Sequence, residues 1–170
     1  VRCIRETPKG TFLVTADNVV FEGDDTGAVL WKADIISERE KPHIWQAQRL
    51  KNGNTVVSTG YAKNLQIFSP EGKLVSSITG PAEVNPNFFS GFQILKNGNY
   101  VVTNWQGHGP KFGASGVQVL EYAPDGKLAW SWKQDPEKFS SIQGIIVLDG
   151  LDINKLHVED EHGVLTGIAQ

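Results

Sequence analysis

Short apolar runs separated by glycine-containing turns follow one another along the chain. The pentapeptide Leu-Lys-Asn-Gly-Asn at 50–54 recurs unchanged at 95–99, and each copy precedes an apolar segment, at 55–58 and at 100–103. Asn-Gly supplies the positive φ values that a tight hairpin turn needs. Each copy therefore predicts two antiparallel strands joined by a short turn.

A second turn signal lies downstream of each pentapeptide. Ser-Pro-Glu-Gly-Lys-Leu at 69–74 matches Ala-Pro-Asp-Gly-Lys-Leu at 123–128, and weaker first copies of the two signals lie at 8–11 and 25–30. Repeats of about 40–50 residues with four strands each are typical of β-propeller blades. We therefore predict an all-β fold, a partial β-propeller of about three and a half four-stranded antiparallel blades. A β-sandwich with accidental internal similarity is the alternative.

The repeat also predicts the limits of the blades within a single domain over residues 1–170. The strands of each blade are named a to d in chain order. Complete blades are predicted at about 1–36, 43–79 and 88–133, and a partial blade at 139–170.

The partial blade rests on two weaker signals. Segment 139–148 aligns with the start of the preceding blade and predicts another strand a. A later pair of strands, at about 155–160 and 164–168, is predicted to turn at His162-Gly163. An unclosed propeller leaves an apolar blade face bare at each end. We therefore expect the partner to be the remaining blades of the same propeller or a second copy of the chain.

Composition narrows the class of protein. The chain of 170 residues begins with Val1 and contains no methionine, which leads us to expect a C-terminal fragment of a longer protein. The net charge of −3 without a basic stripe argues against nucleic-acid binding. No apolar run reaches the roughly 18–20 residues of a membrane span. The single cysteine, Cys3, excludes an internal disulfide and a cysteine-based zinc site.

Residues 24–31, Asp-Asp-Thr-Gly-Ala-Val-Leu-Trp, resemble the repeats of quinoprotein-like (PQQ-like) propellers, which end in Asp-x-x-Thr-Gly-x-x-x-Trp. The family's Asp position holds Gly23, and the third repeat keeps a tryptophan at Trp130. The resemblance spans about 1–150 and implies a propeller, in an exported protein of the periplasm or the extracellular space. A quinone cofactor would also need calcium-ligating residues and a ring-stacking tryptophan on the axis. That set cannot be assembled in this sequence, and we expect no cofactor.

Propeller topology sorts the connections onto two faces. Because successive strands run in opposite directions, the a–b and c–d turns lie on one face, here called the hairpin face. The b–c and d–a connections lie on the other, here called the loop face. The loop-face connections are longer and less regular, and the insertion at 107–115 is the strongest departure from the repeat. Function on repeat scaffolds concentrates in such departures.

The candidate site is therefore placed on the loop face. Aromatic rings, amides and histidines there are suited to stacking on and hydrogen-bonding a carbohydrate or another small polar ligand. Packing of Trp105 beneath a closing glycine-rich loop is the alternative. The face also receives Lys63, Asn85, Asn87, Phe88, Gln106 and Ser140. The predicted ligand-binding residues are His43, Trp45, Tyr61, Asn64, Trp105, His108, Lys111 and Gln143.

The functional prediction is a ligand- or protein-binding module. The alternative is a fragment of a propeller enzyme, either a quinoprotein-like oxidoreductase or a lyase or hydrolase. His43 or His108 would then act as a general base or a metal ligand. No companion carboxylate motif accompanies them, so no catalytic residue and no metal site is assigned. The tryptophans at Trp31, Trp130 and Trp132 are predicted to pack in the core or between blades.

Overall fold

The computed structural model describes residues 1–113, 115–148 and 150–167. Three antiparallel sheets of four strands follow one another, and each is ordered as its strands occur in the chain. This is the blade topology of a propeller, and the predicted all-β fold is confirmed. Blade 1 contains β1 (Cys3–Glu6), β2 (Phe12–Thr15), β3 (Val19–Gly23) and β4 (Val29–Asp34).

The other two blades repeat this arrangement. Short 3₁₀ turns at Ala82–Val84, Pro110–Phe112 and Ile153–Lys155 interrupt the connections. Blade 2 contains β5 (Gln46–Arg49), β6 (Thr55–Ser58), β7 (Asn64–Phe68) and β8 (Leu74–Thr79). Blade 3 contains β9 (Phe88–Ile94), β10 (Tyr100–Trp105), β11 (Val119–Tyr122) and β12 (Leu128–Trp132).

One five-residue turn closes every hairpin on the hairpin face. In the turn after β5, Leu50 N–H donates to the carbonyl of Asn54 (2.7 Å) and Gly53 N–H donates to the carbonyl of Leu50 (3.0 Å). Gly53 has a φ of 87°. Glycine adopts this left-handed conformation without steric cost. The glycines of the repeated turn signals are therefore required by the backbone. The same bonds recur at 7–11, 24–28, 69–73, 95–99 and 123–127.

Two apolar cores hold the blades together. Leu13 and Val20 of blade 1 pack with Val57 and Phe68 of blade 2. The second core lies between blades 2 and 3. Burial of such side chains contributes about 1.5–3 kcal/mol each. The joints between blades are thus the main source of stability. The largest fully buried side chains of the second core are Leu65, Phe89, Leu120 and Tyr122.

Glutamine side chains bridge the blades in addition. The Gln46 Nε2 donates to the carbonyl of Phe92 (3.0 Å), and Phe92 N–H donates to Gln46 Oε1 (3.2 Å). Gln66 makes the same pair of bonds with the main chain of Ile36, at 2.6 and 3.0 Å. Both the donor and the acceptor of each buried amide are satisfied, so the bridge costs little desolvation.

The prediction of a strand at 139–148 is wrong in its detail. The segment crosses the outer face of blade 3, where Gln143 carbonyl accepts from Gly91 N–H (3.0 Å) and from Thr103 Oγ1 (2.9 Å). Gln93 bridges to the main chain of Val147 with two bonds of 2.9 Å. Several hydrogen bonds of the segment are therefore made with side chains of blade 3, and residues 139–148 do not form a β-strand. The segment is bonded to β9 and β10, on the face where a fourth blade would pack.

The hairpin predicted near the end of the chain is confirmed. It consists of β13 (His157–Glu159) and β14 (Leu165–Gly167), with residue 168 outside the described residues. Its turn repeats the five-residue pattern, since Asp160 N–H donates to the carbonyl of Val164 and Gly163 N–H donates to the carbonyl of Asp160, both at 3.1 Å.

The outer tryptophans do not pack as predicted. Trp130 is 51% exposed and Trp132 is 37% exposed, because segment 139–148 covers the inner strands of blade 3 and leaves β12 open. Trp31 does pack between blades, against Arg49. Ile4, on the opposite end of the blade stack, is 63% exposed.

In the described part of the chain, no helix has the length and apolar character needed to cross a membrane.

Candidate functional site

The loop face gathers aromatic residues from both blade starts and blade loops. Trp45 precedes β5, Phe88 begins β9 and Trp105 ends β10. Tyr61 lies between β6 and β7, on the same face. Because strands a and c run one way and strands b and d the other, these positions all lie at the same end of the sheets. The fold therefore brings together residues that are distant in the sequence.

Phe88 is the centre of this aromatic group. Its ring meets Tyr61 (4.7 Å between centroids), Trp105 (5.5 Å) and Trp45 (5.8 Å), each edge to face. The chain of rings continues from Tyr61 to His43 (6.2 Å) and from Trp105 to His108 (4.8 Å). Edge-to-face pairs contribute about 0.5–1.5 kcal/mol each beyond burial. These six residues are called the aromatic chain below.

Burial differs along the aromatic chain. Phe88 and Trp105 are 4% and 8% exposed. His43, Trp45 and Tyr61 are half-buried, and His108 is exposed. The centre therefore packs, as the alternative interpretation of Trp105 expects, while the flanking rings remain accessible.

Two arginines lie over accessible rings. The Arg39 guanidinium lies 4.2 Å from the ring centroid of Tyr61, and that of Arg2 lies 5.6 Å from the ring centroid of Trp45. Cations are attracted to the negative face of an aromatic ring. Each guanidinium therefore covers part of one ring face and places hydrogen-bond donors next to the ring, although neither arginine belongs to a sequence motif.

The main chain of His43 is bonded to Asp17. The backbone N–H of His43 donates to the backbone carbonyl of Asp17 (3.0 Å), and the ring Nδ1 lies 3.4 Å from Asp17 Oδ1. This Nδ1 is buried, and its contact with the carboxylate lacks hydrogen-bond geometry. Tyr61 N–H donates to the carbonyl of Pro42 (2.8 Å). The loops that carry His43 and Tyr61 are therefore bonded to each other, which holds the two rings in place.

Backbone strain is concentrated on the same face. Three non-glycine residues in the described chain have positive φ, His43 (58°), Lys63 (62°) and Asn85 (49°), and all lie in loop-face connections. A left-handed conformation costs an ordinary residue about 1–2 kcal/mol. Such strain often accompanies functional sites.

Of the remaining predicted residues, Asn64 lies beside Tyr61, whereas Lys111 and Gln143 lie apart from the aromatic chain. Asn64 Oδ1 accepts from Thr59 Oγ1 (2.7 Å), and Asn64 lines a cavity of about 570 Å³ beside Tyr61 and Arg39. Lys111 is exposed over the Phe112 ring (4.9 Å), within the insertion whose residue 114 is outside the described residues. The main-chain carbonyl of Gln143 accepts hydrogen bonds from blade 3, from Gly91 N–H and Thr103 Oγ1. The structure thus groups His43, Trp45, Tyr61, Trp105 and His108 and leaves Lys111 and Gln143 separate.

Sequence reasoning did not identify the centre of the group. Phe88 was placed on the loop face but not in the site, and the pair Phe88-Phe89 at a blade start was the available signal. No sequence pattern indicates a role for Arg2, Arg39 or Asp17, because their contacts depend on how neighbouring blades pack. Among the described residues, no three His, Cys, Asp or Glu side chains converge as metal ligands would.

Comparison with known proteins gives the fold. No protein-family model matches the chain, and no curated protein matches it. A protein of unknown function from Bacteroides caccae is similar in structure, with a TM-score of 0.65 and 24% identity over 83% of this chain and 52% of its own. A streptogramin B lyase has a TM-score of 0.60 and 13% identity, over 78% of this chain and 40% of its own.

A catalytically inactive variant of virginiamycin B lyase from Staphylococcus aureus, solved with quinupristin, is also similar. Its TM-score is 0.61 at 11% identity, over 98% of this chain and 54% of its own. The chain spans about half the length of these solved structures. At such identities the likeness shows a propeller-like repeat fold alone.

Proposed function

We propose that the chain belongs to a binding module whose loop face holds a carbohydrate, or another small polar ligand, against the aromatic chain. The aromatic chain itself carries this proposal. Trp45, Tyr61 and His108 offer accessible rings, held by edge contacts to the buried Phe88 and Trp105. Sugar rings combine apolar C–H faces with hydroxyl edges, and aromatic side chains beside polar donors are suited to both.

Preorganisation supports the same proposal. Each accessible ring contacts another ring, and the loops carrying His43 and Tyr61 are joined by a main-chain hydrogen bond. Side chains that are already ordered lose little rotamer entropy when a ligand binds. Arg39, over Tyr61, and Asn64, beside it, supply donors for hydroxyl groups. An exported location, expected from the quinoprotein-like repeats, would suit a protein that meets carbohydrates and is part of this proposal.

A glycan array followed by isothermal titration calorimetry tests the proposal. The wild-type protein should bind at least one neutral oligosaccharide, and Trp45→Ala and Tyr61→Ala should each weaken that binding by about tenfold through loss of a stacking surface. Trp130→Ala is the matched control, since Trp130 is half-exposed on β12 and outside the loop face. Absence of glycan binding by the wild type, or equal loss in the control, would contradict the proposal.

A further inference from the structure

A second cavity lies on the hairpin face, on the opposite side of the blades from the aromatic chain. It has a volume of about 610 Å³ and lies between blades 1 and 2. The turns after β1 and β5 supply its rim, with Lys9 and Lys51, and Trp31 and Leu50 supply apolar wall. Its size suits a small organic molecule.

A largely buried ion pair forms the polar side of this cavity. Arg49 pairs with Glu22, and the two side chains are only 19% and 13% exposed. Thr11 Oγ1 donates to Glu22 Oε1, and Arg49 Nη1 donates to the carbonyl of Gly53 (3.2 Å). The guanidinium also lies 4.4 Å from the ring centroid of Trp31. The charge of Glu22 is thus fully engaged within the protein.

The next joint has apolar side chains at the corresponding positions. Glu22 pairs with Leu13 across β2 and β3, as Ile67 pairs with Val56 in blade 2. Arg49 precedes the first turn of blade 2 as Ile94 precedes that of blade 3. Ile67 and Ile94 both pack in the core between blades 2 and 3. The chain therefore has an ion pair in one joint where it has two isoleucines in the other.

Stability alone does not account for the ion pair. Removing two charges from water is costly, and a well-packed apolar pair is often the more stable choice at such a site. Blade 3 has Glu121 at the position of Glu22, so glutamate and isoleucine both occur there in the repeat. In the joint between blades 1 and 2, the ion pair places charged groups beside the cavity.

The charges decide which ligand the cavity suits. Glu22 is neutralised by Arg49, whereas Lys9 and Lys51 on the rim are exposed and have no ion-pair partner among the described residues. Both lysines line the cavity together with its apolar wall, in a protein of net charge −3. We propose that this cavity binds a small organic anion, with a carboxylate at Lys9 and Lys51 and an apolar body against Trp31 and Leu50.

Ligand-observed ¹⁹F NMR tests the anion preference, with 4-(trifluoromethyl)benzoate as the probe and 4-(trifluoromethyl)benzamide as its neutral counterpart. The benzoate should bind the wild-type protein about tenfold more tightly than the benzamide, because only the benzoate makes charge-assisted contacts. Absence of benzoate binding, or equal affinity for the benzamide, would overturn the proposal.

Rim variants test the location without disturbing the fold. The double variant Lys9→Ala with Lys51→Ala should weaken benzoate binding by about tenfold. Lys96→Ala is the matched control, because Lys96 holds the place of Lys51 in the second copy of the pentapeptide. Its affinity should equal that of the wild type. Unchanged binding in the double variant would place the benzoate elsewhere and overturn the proposal.

A variant with an apolar joint tests the energetic argument. Glu22→Ile with Arg49→Ile copies the joint between blades 2 and 3, and its denaturation midpoint should equal or exceed that of the wild type. A lower midpoint would contradict this expectation, because the ion pair would then be the more stable arrangement. Trp45→Ala should bind benzoate like the wild type, so failure of the carbohydrate proposal and failure of this one are distinguishable.

Discussion

The chain reverses direction on both the hairpin face and the loop face, but the connections on the two faces differ. On the hairpin face, one five-residue turn recurs, and its left-handed position holds a glycine in every blade. On the loop face, connections differ in length, and His43, Lys63 and Asn85 adopt left-handed conformations without being glycine. The regular turns are unstrained and nearly identical to one another. The irregular connections include the strained residues, differ from one another, and also contain the aromatic chain.

The largest expected effect comes from Gly60→Ala on the loop face. A Cβ at Gly60 would overlap the carbonyl oxygens of Pro42 and His43, whose main chain is fixed against Asp17. Gly60 also exchanges two main-chain hydrogen bonds with Phe89, each 3.0 Å. We expect a loss of about 2–4 kcal/mol in the free energy of unfolding, measured by urea denaturation.

Gly10→Ala on the hairpin face is the matched control for that substitution. Gly10 has a similar φ of 76°, yet nothing lies within 4 Å of an added Cβ. Only the backbone conformation is penalised, so we expect a loss of about 1 kcal/mol. Equal losses at the two sites would mean that the loop face is no more tightly fixed than the hairpin face.

An intermediate effect of opposite sign is expected from Lys63→Gly. Lys63 is exposed and has a φ of 62° between β6 and β7. Glycine removes the left-handed penalty and loses more chain entropy on folding, so we expect a net gain of about 0.5–1 kcal/mol. Thermal unfolding followed by circular dichroism measures it. A destabilised variant would show that the loop face is not strained at this position.

The smallest expected effect concerns pH and the hairpin face. Hydrogen bonds from the side chain of Thr26 and the N–H of Ala28 hold the pKa of Asp24 below its ordinary value. Because the folded-state pKa is the lower one, the stabilisation is present above the unfolded pKa of about 3.9 and is lost as pH falls through the folded value. In blade 2 the same turn uses Ser69 Oγ as the acceptor.

Asp24→Ser exploits this difference between equivalent turns. A hydroxyl does not titrate in this range, so the variant should lose less stability than the wild type between about pH 6 and pH 2. Denaturation midpoints of the two proteins across that range measure the difference. Parallel pH profiles would contradict a contribution from the ionised carboxylate.

The sequence was informative wherever structure is local. Turn signals at 50–54 and 95–99 predicted the hairpins, because Asn-Gly fixes a turn irrespective of its surroundings. The turn at Gly163 was predicted from its glycine, which favours a turn in the same local way. The strand at 139–148 was wrong because sequence similarity to a strand a does not supply its partners; glutamine side chains bind it instead.

Contacts between blades were beyond the sequence. The meeting of Glu22 with Arg49, and of Phe88 with rings from both neighbouring connections, depends on the register in which one sheet faces the next. No periodicity reports that register. The candidate site could therefore be assigned to a face but not to its central residue, and the cavity on the hairpin face gave no signal at all.

The glutamine bridges have an evolutionary consequence. The amides of Gln46, Gln66 and Gln93 bind only main-chain atoms of the neighbouring segment. The bridge itself recognises the polypeptide backbone and places no demand on the neighbour's side chains. A blade copied by gene duplication can therefore change side chains around the bridge without losing it, and the two joints of this chain hold an ion pair in one and two isoleucines in the other.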